Sequence, residues 1–217
     1  MTETAPPARR GRRPMSERRR ALQRLEISRA AIRLFRAHGV AATSGEDIAH
    51  AVGLSARTLW RWFRTKESCV EPVLSLATDA FTASLSRWPE GRPLDEHLLA
   101  DYRAPDGSGP DDGELVFAVL RLSHSEPALR AIWLVVQERA EPVLAAILAE
   151  RLGRTSDDVG VRVQAAALNA ALRIATEDIA AATADGQEPP VDDLVARLSA
   201  AVRAAGHGIA DPGPAPR

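Results

Sequence analysis

Apolar residues recur every three to four positions along most of the chain, the period of helices buried on one face. From Glu17 to His38 the positions Leu22, Leu25, Ala30, Ala31, Leu34, Phe35 and His38 share such a face. Ser16 offers an N-cap, Glu17 suits the first turn, and Gly39 tolerates the left-handed backbone that ends a helix. Arg29, Arg33 and Arg36 occupy a separate strip at i, i+4 and i+7. Thr43 and Ser44 offer the next cap, with Glu46 or Asp47 as the reciprocal partner, ahead of a short helix that turns Ile48, Ala49 and Val52 inward. Gly53-Leu54-Ser55 reads as a tight turn with a fresh N-cap at Ser55, and Ala56 to Phe63 as a third helix with Leu59 and Phe63 inward. Two short helices joined by a glycine-containing turn form a helix-turn-helix unit.

The remaining pattern is also helical. Thr65 is placed to cap a fourth helix that holds Lys66 in its first turn and runs to about Trp88, with a kink at Pro72. A shorter helix spans about Pro93 to Arg103, and residues 104–113 read as a loop. Glu114 to His124 is apolar nearly all round through Leu115–Leu120, so it is expected to be central and buried. Glu126 to Leu152 follows, with Pro142 inside it and Gly153 ending it. Ser156 is the expected cap of the next helix, whose Val161, Ala165, Leu168, Leu172, Ala175 and Ile179 alternate by four and three as a heptad seam. A second stripe, Val163, Ala167, Ala170 and Ile174, lies beside it. A helix apolar on two strips needs two surfaces, its own core and a partner; the alternative is a monomeric bundle with a wide core. The last helix, Val191 to Ala205, repeats the seam with Leu194, Val195, Leu198 and Val202.

Composition agrees with this pattern. Alanine supplies 40 of 217 residues and aromatics only 4%, which favours helices over strands. A single cysteine excludes an intrachain disulfide framework and a zinc finger. There is no 18-residue uncharged apolar run and no secretory signal pattern, so a soluble, cytoplasmic, all-α protein is expected. The net charge of −1 conceals a division. Residues 1–66 hold fifteen basic against five acidic side chains, and the rest of the chain thirteen against 24. A basic end joined to an acidic remainder points to nucleic acid at one end and a different task at the other. Residues 1–15, rich in Arg and Pro without apolar periodicity, read as a disordered arm.

The stretch Ile27–Val70 resembles the DNA-binding domain of the TetR/AcrR family of transcriptional regulators. The resemblance rests on Ala30-Ala31, Leu34-Phe35, Gly39, Ser44, Asp47-Ile48-Ala49, Gly53-Leu54-Ser55, Thr58-Leu59, Phe63 and Lys66-Glu67. Two positions depart from the family pattern: Trp60 stands where Tyr is usual and Trp62 where His is common. An indole N–H donates a hydrogen bond but accepts none; core packing is the other use of each tryptophan. The resemblance implies a helix-turn-helix domain over 16–66, a ligand-binding and dimerisation domain over 67–206, a tail over 207–217 and about nine helices in all. It places Arg57 and Arg61 against guanine edges and Ala56 against a thymine methyl. Ser44, Thr58, Trp60, Trp62 and Lys66 would meet phosphates, and Arg9–Arg13 either reach a minor groove or stay solvated. It further implies a homodimer on a palindromic operator, paired through its last two helices, with the interface on Val161, Ala165, Leu168, Leu172, Ala175, Ile179, Leu194, Leu198 and Val202. More weakly, SEPALRAIW, LAAILAERLG and VQAAALNAALR resemble the C-terminal domain of regulators that bind acyl-CoA-like ligands.

Within the second domain the scarce large side chains Phe81, Trp88, Tyr102, Phe117 and Trp133 either fill the core or line a cavity. His97, His124, Gln137, Asn169 and Arg173 are the polar residues that stand out there, and all but His97 are candidates to face an effector. The alternatives are a dimer partner or a backbone carbonyl for Asn169 and a surface ion pair for Arg173. No cofactor or metal site is expected, since the histidines show no ligand spacing. Cys69 is either a packed small residue or, near a helix start, a redox-sensitive thiol. The expected function is a ligand-released repressor that binds double-stranded DNA and acts on no membrane. The alternatives are a nonspecific architectural DNA binder and an all-helical enzyme, for which no P-loop, nucleophile elbow, HExxH or dinucleotide fingerprint is present.

Overall fold

Nine α-helices and one 3-10 turn make up the regular structure among the residues that the computed structural model describes, which are 17–101, 109, 111–183 and 189–206. The expected arm over 1–15, the Ser16 cap, Tyr102 and the tail over 207–217 lie outside them. Helix α1, Glu17–His38, buries Leu25, Ile27, Ser28, Ala31, Ile32 and Phe35. Its inward face is rotated from the expected one, since Leu22 and His38 are exposed. Branched Ile27 and Ile32, not Leu22, fill the space against the next helices.

Ser44 caps α2, Gly45–Ala51, in a reciprocal box with Asp47, and Ser55 caps α3, Ala56–Trp62. Thr43 is buried instead, donating its hydroxyl to the Gly39 carbonyl at 2.8 Å and so fastening the end of α1.

The expected single helix after Thr65 is divided. A 3-10 turn, Glu67–Val70, precedes α4, Glu71–Ser86, and Pro72 lies in the first turn of α4, where its missing N–H costs nothing. It therefore marks a start, not a kink. The Val73 N–H at that start donates to Ser28 Oγ of α1 at 3.3 Å, a cap lent by another helix.

Helix α5, Leu94–Asp101, lies under α9, Val191–Gly206, and α6, Asp112–Ser123, runs through the centre with Leu115 to Leu120 all buried. Helix α7, Pro127–Leu152, is about 39 Å long at 1.5 Å per residue, contains Pro142 without interruption, and stops at left-handed Gly153 (φ 60°). Helix α8, Val159–Ala182, is capped by Asp158 and not by Ser156: the Asp158 carboxylate accepts from the Gly160 and Val161 N–H groups at 2.8 and 3.2 Å. A carboxylate directly before the helix reaches two orphan donors that a serine two residues further out cannot.

Two apolar clusters hold these helices. One spans α1 to α4, α6, α7 and the end of α8 without a break at residue 66, so Cys69, Val70, Val73 and Leu74 belong to the same core as Phe35 and Leu59. The other joins α4, α5, α7, α8 and α9 at the far end.

Candidate nucleic-acid interface and effector cavity

Short helices joined by a capped turn position α3 as a rigid projection. Leu59 is buried beneath it, while Arg57, Trp60 and Arg61 face solvent. Arg57 and Arg61 stand one turn apart, and Ala56 and Thr58 beside them are half-buried. Trp60 is 41% exposed and rests its ring on the Cα of Gly45, the first residue of α2. Any side chain at Gly45 would overlap that ring. A glycine that weakens a short helix is thus explained by the tryptophan standing where the family has tyrosine. The Trp60 indole N–H meets no partner among the described residues, which leaves a donor on this face.

Gly45→Ala should therefore lower stability by roughly 1–3 kcal/mol through overpacking, despite alanine's better helix propensity. In a double-mutant cycle read by urea denaturation, Trp60→Ala should remove that penalty. Additive effects would show that the two residues do not compete for space.

Other positions expected at phosphates are committed elsewhere. The Ser44 hydroxyl and backbone N–H donate to Asp47 Oδ2 at 2.6 and 2.8 Å, which holds the exposed Asp47 carboxyl below its ordinary pKa, and the hydroxyl accepts the Asp47 N–H at 3.1 Å. Thr58 Oγ1 lies 2.9 Å from Ser55 Oγ. Trp62 is half-buried against the core, and its carbonyl accepts from Arg24 at 3.0 Å while the Arg24 guanidinium sits 4.6 Å over Phe63. Lys66 is half-buried and donates to the Val40 and Thr43 carbonyls at 2.6 and 2.8 Å. Its charge fastens the segment that enters α2. Lys66→Met should cost about 1–3 kcal/mol of unfolding free energy, because two carbonyls lose their donor. Unchanged denaturation would return Lys66 to the DNA face.

The strip of arginines on α1 has partners. Arg29 and Asp112 form a two-bond pair at 2.8 Å each, Arg33 reaches Asp111 at 3.1 Å, and Arg36 reaches Glu114 at 2.7 Å. Burial pushes the Asp112 carboxyl up, but the Arg29 bonds, the Gly109 N–H and the charges of Arg29 and Arg33 outweigh it and hold it below the ordinary value. These three pairs join α1 to the first turn of α6. Cys69, by contrast, is fully buried, and burial together with Glu67 pushes its thiol up to about 12. It is a packed residue, not an activated thiol.

Behind α6 lies a cavity of about 150 Å³ bounded by α4 to α9. Phe81, Phe117, Trp133, Gln137 and Asn169 line it, together with Leu74, Thr78, Gly113, Val116, Leu144 and Thr176, which no sequence signal separated from ordinary core. Trp88, His124 and Arg173 do not. The Trp88 indole donates to the Arg92 carbonyl at 2.8 Å beneath Arg151, His124 Nδ1 faces the Leu120 carbonyl at 3.0 Å, and Arg173 pairs with Glu177 at 3.2 Å. No group of three or more metal-ligating side chains occurs among the described residues, and no helix there is long and apolar enough to cross a membrane.

The heptad seam of α8, expected at the dimer interface, faces the protomer's own core. Val161, Ala165, Leu172 and Ile179, with Leu198 of α9, are buried inside the protomer, and Leu168, Ala175, Leu194 and Val202 pack half-buried against the same core. Val163 and Ile174, on the second stripe, are 62% and 51% exposed.

Residues 27–73 match the family profile of bacterial regulatory proteins, tetR family, and residues 104–209 match the MftR C-terminal domain. The HTH-type transcriptional regulator TcmR of Streptomyces glaucescens is 36% identical over 149 residues, 65% of this chain and 66% of that protein, just under two thirds of its length. Two solved structures share the fold: Thermus thermophilus FadR, described as a TetR family transcriptional repressor in complex with lauroyl-CoA, and Salmonella enterica GusR. They superpose with TM-scores of 0.54 each, at 23% and 19% identity, over 89% of this chain and 99% and 97% of theirs. With regulator profiles matched over residues 27–73 and 104–209, the chain belongs to the tetR family of bacterial regulatory proteins.

Proposed function

We propose that this protein is a homodimeric, sequence-specific transcriptional repressor released from its operator by a small hydrophobic effector. The observation that carries the reading is the exposed face of α3, where Arg57, Trp60 and Arg61 project from a capped and buried-backed helix. Arg57 and Arg61 would read guanine edges, and the Trp60 N–H would meet a phosphate. The DNA-binding unit would be 16–66 and the effector and dimer unit 67–206, sharing one core.

Dimerisation would use the second stripe of α8 with the outer face of α9. Val159, Val163 and Ile174 are exposed beside exposed Ala166, Ala167 and Ala181, and α9 adds exposed Ala196, Ala200 and Ala204. Small side chains allow helices to approach closely, so a second copy related by a twofold axis would bury this face. Such a dimer sets two recognition helices about 34–36 Å apart on a palindrome.

Release follows from linkage. An effector that prefers a conformer with the wrong helix spacing must weaken operator binding by the same factor that the operator weakens effector binding. Helix α6 is placed to transmit this, because Gly113, Val116 and Phe117 line the cavity while Asp112 and Glu114 hold α1. The apolar lining would accept an acyl chain, but among the described residues no charged side chain lines the cavity to meet phosphates.

Fluorescence anisotropy on DNA from upstream of the protein's own gene, against scrambled DNA at two salt concentrations, tests this reading. A preference of 10³-fold or more is expected. Equal affinity for both, with no preferred site emerging from random DNA, would instead favour an architectural binder.

A further inference from the structure

The chemistry of the effector is written in the polar atoms of the cavity that have no protein partner. Thr78, Thr82 and Thr176 are not among them, since each hydroxyl donates to a carbonyl one turn back in its own helix, at 3.0, 3.1 and 2.7 Å. Asn169 turns its amide nitrogen to the Gln137 carbonyl at 2.9 Å and to Glu141 at 3.3 Å, which fixes the amide's orientation and leaves its side-chain oxygen unbonded among the described residues. Gln137 is only 8% exposed and lines the cavity, and neither end of its side-chain amide is bonded within those residues. Both amides open onto the cavity with hydrogen-bonding capacity unused, so a group carrying both a donor and an acceptor is the complement they offer.

The walls narrow the choice further. Phe81, Phe117 and Trp133 present rings, and the one polar atom of Trp133 is turned to Glu177 at 3.0 Å, outside the lining. No lining residue among the described ones is charged, so an ionised group would meet no counter-charge from them. About 150 Å³ is also the volume of an engineered apolar cavity that accepts benzene. We infer that the effector enters this cavity as an uncharged aromatic ring carrying a donor and an acceptor on one edge, held by Gln137 and Asn169. The inference rests on the reading of this cavity as the effector site and names the class of molecule that fills it.

The full-length protein can be titrated by ligand-observed NMR with benzamide, benzoate, toluene and lauroyl-CoA. Benzamide should bind at least tenfold more tightly than benzoate or toluene. Gln137→Leu should erase its advantage over toluene while toluene binding persists, and Gln137→Met serves the same purpose if the leucine variant does not fold. Ala140→Leu, which fills the cavity, should abolish both. Benzoate binding as well as benzamide, lauroyl-CoA binding more tightly than benzamide, a benzamide affinity indifferent to Gln137, or no ring probe binding would each overturn the inference. Selective benzamide binding that leaves DNA affinity unchanged would support the pocket chemistry and overturn the effector role, so the two failures are separable.

Discussion

Arg57→Ala and Arg61→Ala should each cost the operator complex roughly 2–6 kcal/mol. A bidentate arginine–guanine pair is worth about 1–3 kcal/mol of discrimination, and a twofold dimer makes each substitution act twice. The expected loss is roughly 30-fold to 10⁴-fold in affinity for the preferred site. Both side chains are exposed, so thermal unfolding should hardly move. Affinity for scrambled DNA should fall far less, because base readout contributes nothing there. Anisotropy titrations of both variants on both DNAs separate the cases. Equal losses on operator and scrambled DNA would reassign the arginines to phosphates.

The second large effect is expected at the α1–α6 junction. Asp112→Ala strips Arg29 of its two-bond partner and the Gly109 N–H of its acceptor in a site where the two side chains are only 18% and 12% exposed. Removing these charge-assisted bonds should cost about 2–3 kcal/mol. Arg29→Ala/Asp112→Ala together should cost clearly less than the sum of the single changes. The pH dependence follows from the depressed Asp112 pKa. Its stabilising contribution is present above the ordinary carboxyl value of 3.8 and is lost as pH falls through the lower folded value. Unfolding free energy should therefore drop below about pH 4, and Asp112→Asn should flatten that limb of the profile. An unchanged acid limb in Asp112→Asn would remove this pair from the stability account. The same variants should reduce the factor by which any effector lowers DNA affinity, since α6 would hold α1 by one pair fewer.

How far the sequence was legible depended on whether a signal is local. The caps at Ser44 and Ser55 and the stop at Gly153 need only a few neighbouring residues, and they stand where the pattern places them. Pro72 was ambiguous, because a proline inside an apolar period and a proline opening a new helix look alike until Ser28 is seen to cap the start from another helix. The arginine strip at 29, 33 and 36 was visible, but its partners fall at the edge of a segment whose glycines and prolines read as loop. Choosing between the two stripes of α8 was beyond periodicity. Val161 and Val163 are equally apolar, and only the packing of α7 and α9 decides that one is buried and the other 62% exposed. Lys66 shows the same limit, since a lysine beside a recognition helix reads as a phosphate contact until two carbonyls are found at its ammonium.

The central claim is that two copies of α3 read DNA as a twofold pair. Selection of binding sites from random-sequence DNA by the full-length protein tests it most directly. The account predicts enrichment of an inverted repeat whose half-site centres lie one helical turn, or a whole multiple of it, apart, with guanines that lose their enrichment in the Arg57→Ala protein. A pool that retains no common sequence, or one enriched only in unpaired half-sites, would contradict it.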